Sequence, residues 1–240
     1  MPYRKEQFAN NEIYHTILRA IDNNLIFKDI DDYYRGIFSI YEFNDSNPAN
    51  IRRRREIRRS FKKKIRRGRA STDFIDGRNK LVDILAFCFM PNHIHLLLKQ
   101  LKDNGVTKFM SKIGTGYGGY FNRKYQRKGH VFQDRFNIVP IETEEQLKIV
   151  FAYIHTNPLS IIYPQWKEIR IKNPDEAVGF LGNYKWSSYL DCIGIKNFPS
   201  VIQKDFIVDL MNSPEGCKEF IKNWIEYKGE SEEYSYLFLE

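Results

Sequence analysis

Nowhere does this chain approach the roughly 20 consecutive apolar residues that a bilayer-spanning helix needs. Its opening residues, Met1-Pro-Tyr-Arg-Lys-Glu6, carry charge with no apolar core behind it, as a secretory leader would require. Both absences predict an intracellular protein with no membrane partner. Cysteine is scarce. Cys88, Cys192 and Cys217 are odd in number and scattered, which argues against a disulfide framework and against the Cys-x-x-Cys spacing of a zinc site. Cys88 reads as a small core residue. No internal repeat is present. What remains is 240 residues, 42% apolar and 15% aromatic, enough to bury one sizeable domain with extensions.

The net charge of +8 is concentrated in one place. Between positions 52 and 69 lie Arg52, Arg53, Arg54, Arg55, Arg58, Arg59, Lys62, Lys63, Lys64, Arg66, Arg67 and Arg69, against the single acid Glu56. That run nets +11, so everything else nets −3. Like charges this dense repel one another and call for a polyanionic partner, nucleic acid first. Only Ile51, Ile57, Phe61 and Ile65 supply an apolar stripe, too little for a membrane-surface helix. The alternative is a solvated insertion with no ligand.

Residues 12–21 are rich in β-branched and apolar types and read as a first strand. Residues 29–43 predict a helix, with Asp29, Asp31 and Asp32 at its N-terminal end and Asn44–Pro48 breaking it. The basic arm follows, helical when bound and ending near Gly77. Residues 80–89 and 92–100 predict two strands, and 106–127 a helix. Inside that helix, Gly114-Thr-Gly-Tyr-Gly-Gly119 lacks the lysine and preceding strand of a phosphate-binding loop. It predicts close backbone packing or close approach of a nucleic-acid strand. Residues 130–141 read as one or two further strands. Thr143 and Gln146 have the spacing of a capping box, opening a helix that runs to Asn157 and stops at Pro158. Beyond Leu159 the chain reads as loop-rich, with short helices at 206–211 and 215–227 and a frayed acidic end.

The stretch with most chemical content is Met90-Pro-Asn-His-Ile-His-Leu-Leu-Leu98. Strand side chains alternate, so His93 and His95 share a face. Two adjacent imidazoles are a ready pair of metal ligands, and burying them without partners or a metal is costly. Tyr153 and Asn157 are one turn apart on the later helix and also share a face. A divalent ion on two imidazoles can polarise a phosphate oxygen, and a tyrosine beside it can attack phosphorus. The element order predicts an α+β fold of ferredoxin-like type, on which these groups could converge. His155 points off that stripe, and His15 and His130 read as structural or DNA-facing. Tyr117, Tyr120 and Tyr163 are rival tyrosines without the amide one turn on. Arg123, Lys124, Arg127, Lys128 and Arg135, interleaved with Phe121, Tyr125, Phe132 and Phe136, suit either backbone contact with base stacking or an ordinary solvated rim.

The His motif, with Tyr120-Phe-Asn-Arg-Lys-Tyr-Gln-Arg-Lys-Gly129, Val131-Phe-Gln-Asp-Arg-Phe136, Tyr153-Ile-His-Thr-Asn-Pro158 and Tyr184-Lys-Trp-Ser-Ser-Tyr189, resembles the REP-associated tyrosine transposases. These belong to the single-tyrosine HUH transposases of the insertion-sequence 200 type, and the blocks span residues 12–194. The resemblance implies an HUH fold with a central antiparallel sheet, a catalytic domain over residues 1–160 and a helical extension over 161–240. The basic insertion, about residues 45–79, is longer than the resemblance leads one to expect, and would grip hairpin DNA or another partner. The resemblance further implies that Tyr153 attacks single-stranded DNA to leave a 5′-phosphotyrosine. His93, His95 and Asn157 would hold Mg2+ or Mn2+, and the substrate would be a hairpin-bearing element. The protein would act as monomer or homodimer in the cytoplasm of a bacterial or archaeal cell, on the nucleoid when bound to DNA. The competing expectation is a non-catalytic or host-adopted nucleic-acid binder on the same fold. A replication or mobilisation initiator is a third, weaker one.

Overall fold

The computed structural model describes residues 8–48, 56, 59–60, 63, 66, 76–166, 171–227 and 232–239. Four strands, β1 (Ile13–Arg19), β2 (Val82–Met90), β3 (His93–Gln100) and β4 (Asn137–Ile141), form one sheet in the order β2-β3-β1-β4. Every neighbouring pair is antiparallel. Helix α1 (Ile30–Glu42) lies between β1 and β2 in the chain, and α2 (Gly105–Lys124) between β3 and β4. This is the ferredoxin-like α+β arrangement expected from the order of elements.

Alternation along the strands builds two apolar layers. Tyr14 and Leu18 of β1, with Ile94, Leu96 and Leu98 of β3, pack against Ile37 and Ile40 of α1 and Phe109, Met110 and Ile113 of α2. The opposite face receives α3 (Glu144–Thr156) through Leu147, Val150, Phe151 and Ile154. A bulge in β2 between Ile84 and Ala86 lets Leu85 and Ala86 both serve that second layer, while Phe87 returns to the first. Short elements complete the second layer: α4 (Pro174–Asn183), α5 (Tyr189–Cys192), α6 (Asp205–Leu210) and α7 (Pro214–Tyr227). Residues 184–188 run along the open edge of β2. Phe89 donates its amide to the Trp186 carbonyl, and Ser188 donates its own to the Phe87 carbonyl. The edge is thereby closed to pairing with another chain.

Local chemistry explains the helix ends. Asp29 accepts from the Asp32 amide to cap α1. Thr143 and Gln146 make the expected reciprocal capping box on α3. In α2, a Cβ on Gly116 would stand 2.2 Å from the Phe43 ring, so the glycine there serves close packing of α2 on the end of α1.

Three expectations need correction. Only 137–141 of the stretch 130–141 is strand. Residues 130–136 form a loop that buries Val131, Phe132 and Phe136 one by one, with a single bridge from Phe132 to Ala20. The region after Leu159 is more helical than loop-rich: α4 begins at Pro174 with Asn173 accepting from the Glu176 amide. Nor are the described residues of the C-terminal segment, 232–239, frayed. Glu232–Leu237 form a 3-10 turn, and Leu237 is fully buried. Of the basic arm, Glu56, Arg59, Ser60, Lys63 and Arg66 are helical and exposed. Arg52, Arg53, Arg54, Arg55, Arg58, Lys62, Lys64, Arg67 and Arg69 lie outside the described residues. Among the described residues no helix is long and apolar enough to cross a membrane.

Candidate active site

The tight turn at Pro91 and Asn92 is pinned from outside the hairpin. The Pro91 carbonyl accepts from the amides of Ile26 and Phe27, and the Asn92 carbonyl accepts from Ala20. From this anchored turn β3 sends His93 and His95 onto the face that carries α3. Their Nε2 atoms converge to 2.9 Å. Two ligands at right angles on a cation, each at about 2.1 Å, stand about 3 Å apart. Two facing nitrogen lone pairs at this distance repel unless a cation or a proton lies between them, so the pair fits a divalent ion. His93 Nδ1 lies 2.6 Å from Asn92 Oδ1. The amide oxygen accepts there, so His93 Nδ1 carries the proton and Nε2 is left for the gap.

Tyr153 arrives from α3 on the same side. Its ring lies 5.5 Å from that of His95 and 5.8 Å from that of His15, both edge-on. One turn on, Asn157 closes the end of α3 by donating its side-chain amide to the Tyr153 carbonyl at 2.9 Å. Both residues are buried. Burial pushes the Tyr153 phenol above its ordinary value, against the opposing pulls of the Asn157 side chain and the Arg19 charge. The phenol is therefore protonated at neutral pH. Among the described residues, no group of three or more His, Cys, Asp and Glu side chains is arranged to hold a metal ion. The donor set on offer is two imidazoles with a nearby amide and phenol.

Sequence reading set His15 down as structural or DNA-facing and the acidic chain end as frayed, and placed neither of these two contributors beside the His pair. His15 of β1 is buried, and its Nε2 lies 3.1 Å from His95 Nδ1. Burial pushes it down to about 4, against the raising effect of the Leu237 carbonyl. The second contributor is the 232–239 segment. Tyr153 donates its hydroxyl to the Phe238 carbonyl at 2.8 Å, and the two rings stack at 4.5 Å. The Arg19 guanidinium holds the Leu239 carbonyl at 2.9 Å. In this arrangement the phenol is capped. The apolar run Tyr236-Leu-Phe-Leu239 was the available signal, outweighed by the acidic residues around it.

The rival tyrosines are engaged elsewhere. Tyr117 donates to the Ile26 carbonyl at 2.5 Å and Tyr120 to Asp32 at 2.9 Å. His155 is buried against Ser188 at 2.7 Å, off the catalytic stripe as its helical position predicts. Among the expected nucleic-acid contacts, Arg123, Arg127 and Arg135 are exposed, and Arg127 lies over the Phe121 ring. Lys124 is committed within the protein, 2.7 Å from both Asp29 and Asp32. Burial pushes the Asp32 carboxyl up, yet hydrogen bonds from Lys124 and Tyr125 hold it below the usual range. Beside α2, Gly114, Gly118 and Gly119 face a groove of about 550 Å³ walled by Phe132 and Gln133.

Residues 52–157 match the family model described as Transposase IS200 like, a span that holds the His pair, Tyr153 and Asn157. No curated protein matches the chain. A solved structure of a REP-associated tyrosine transposase bound to a REP hairpin is 12% identical, covers 85% of this chain and 92% of its own, and superposes with a TM-score of 0.45.

Proposed function

We propose, from the match of residues 52–157 to the family model described as Transposase IS200 like, that this chain cleaves and rejoins single-stranded DNA at hairpin-bearing elements. Tyr153 is the nucleophile. Its hydroxyl oxygen attacks phosphorus and loses its proton. The bond from phosphorus to the 3′-oxygen breaks, and that oxygen leaves protonated as a 3′-hydroxyl. The product is a 5′-phosphotyrosine, which the reverse step rejoins to a new 3′-hydroxyl. His93 and His95 would hold Mg2+ or Mn2+ with Asn157 at the edge of the site, and the ion would polarise a non-bridging phosphate oxygen. The exposed arm cations, with Arg123, Arg127 and Arg135, supply backbone contacts. The catalytic unit is residues 1–160, with 161–240 packed on it, acting as monomer or homodimer in the cytoplasm.

One observation carries this reading: the Tyr153 ring 5.5 Å from His95, with the two Nε2 atoms converging beside it. Incubation with single-stranded hairpin DNA and Mn2+ or Mg2+ is expected to give a covalent protein–DNA adduct. Tyr153→Phe abolishes it, and His95→Ala lowers it to near background. An adduct that survives Tyr153→Phe rejects the nucleophile.

The second reading, a non-catalytic or host-adopted binder, draws on the cap over the phenol at Phe238. It expects hairpin binding with no cleavage under either ion, even when residues 238–240 are removed and the Leu237 carbonyl is kept.

A further inference from the structure

His15 lies behind His95, away from the gap between the paired imidazoles. It faces His95 Nδ1, the ring nitrogen that does not point at His93. Its register explains the contact. On β1, His15 stands opposite Leu97, one same-face position from His95, and such diagonal neighbours are within reach of long or flat side chains. The two rings lie nearly parallel, 5.4 Å apart and 15° from coplanar in orientation.

The hydrogen bonds fix where the protons sit. His15 Nδ1 lies 2.8 Å from the Leu237 carbonyl, which can only accept. His15 Nδ1 therefore carries a proton. A neutral imidazole has one N–H, so His15 Nε2 is an acceptor. The proton between it and His95 then belongs to His95 Nδ1, and His95 Nε2 keeps a bare lone pair. Asn92 Oδ1 imposes the same tautomer on His93.

We propose that His15 is a positioning residue that locks His95 in the tautomer and ring orientation required to bind a divalent cation through Nε2. The chain of bonds runs from His95 Nδ1–H to His15 Nε2, and from His15 Nδ1–H to the Leu237 carbonyl. His15 itself is not a ligand, since its Nε2 is already taken up by the back of His95. Outer partners of this kind fix ring orientation and raise ligand basicity, and their loss weakens metal binding by about 10–100-fold. The inference rests on the reading of His93 and His95 as metal ligands.

The test needs no turnover. In the metal-free full chain with 15N-labelled histidine, long-range proton–nitrogen NMR spectra are expected to show His95 protonated at Nδ1, with any proton in the gap shared between the two Nε2 atoms. The reverse tautomer overturns the proposal. In His15→Phe, both His95 tautomers become populated, and Mn2+ binding followed by the electron-spin signal of the free ion weakens about 10–100-fold. In His15→Gln, whose amide oxygen can accept from His95, most of that affinity returns. A folded His15→Phe protein with unchanged Mn2+ affinity, or a Gln variant as weak as the Phe one, overturns it. If His15→Phe does not fold, the wild-type spectrum and the Gln variant decide. Absence of a DNA adduct with the His95 tautomer as stated would reject the strand-transfer reading and leave the role of His15 standing. Adduct formation with the opposite tautomer would do the reverse.

Discussion

At the level of single residues, acid sensitivity is the clearest consequence of the buried imidazoles. Burial pushes His155 down to about 3 and His15 down to about 4. Unfolded, both take up protons below about pH 6.5. Between that value and the folded values the unfolded state binds more protons, so stability rises with pH and is lost as pH falls through this window. His155→Gln, which can retain the contact with Ser188, removes one such group. Its urea-unfolding free energy is expected to fall less steeply between pH 6 and pH 4, by about 1.4 kcal/mol per pH unit. Equal slopes in variant and parent would show that His155 is protonated in the fold. Residue-level reading of the sequence succeeded where geometry is local. His93 and His95 share a face by strand parity, and Tyr153 and Asn157 share one by helical pitch. It read His15 as structural or DNA-facing but did not place it against His95, because strand parity says nothing about which strand lies alongside. The meeting with His95 is set by the β1–β3 register, across 80 positions of chain.

Among the elements, α2 and the 232–239 segment make opposite demands. Gly116→Ala drives a methyl group into Phe43, and this overpacking is expected to cost about 1–3 kcal/mol, read as a lower urea midpoint. Gly119→Ala, with open space around it, is the control and is expected to raise the midpoint, by about 1 kcal/mol of helix propensity. The 232–239 segment instead covers the candidate nucleophile. Removing residues 238–240, which leaves the Leu237 carbonyl on His15 in place, is expected to uncover the Tyr153 phenol and raise the rate of adduct formation on hairpin DNA. A slower or unchanged rate would mean that the cap does not limit access. Helix α4 was legible in principle. Asn173, Pro174, Asp175 and Glu176 make an N-terminal signature, which the reading of the region beyond Leu159 as loop-rich did not use. The loop at 130–136 was misread for the opposite reason. Its apolar residues are anchors for an irregular path, and single-sequence periodicity does not separate the two cases.

For the whole molecule, charge placement and chain order were the informative signals. The strand and helix order led to the sheet topology, because four strands with a helix after the first and another after the third leave few unknotted ways to fold. The basic segment predicts a salt-dependent affinity for single-stranded DNA, with each phosphate contact contributing about −0.7 to the log–log slope. Deleting residues 52–69 is expected to flatten that slope by several contacts' worth in a titration from low to moderate salt. An unaltered slope would assign the arm to a different partner. The interleaved faces of β1 also carry a cost in lengthening. Tyr14 and Leu18 serve one layer while His15 and Arg19 serve the other, with β3 and β4 bonded on either side. One extra codon inside this strand would exchange the two sets at a stroke. An imidazole would enter the oily side, and Tyr14 or Thr16 would take its place behind the ligand pair. Growth of this protein by insertion is therefore far better tolerated between α1 and β2 than anywhere along its most central strand.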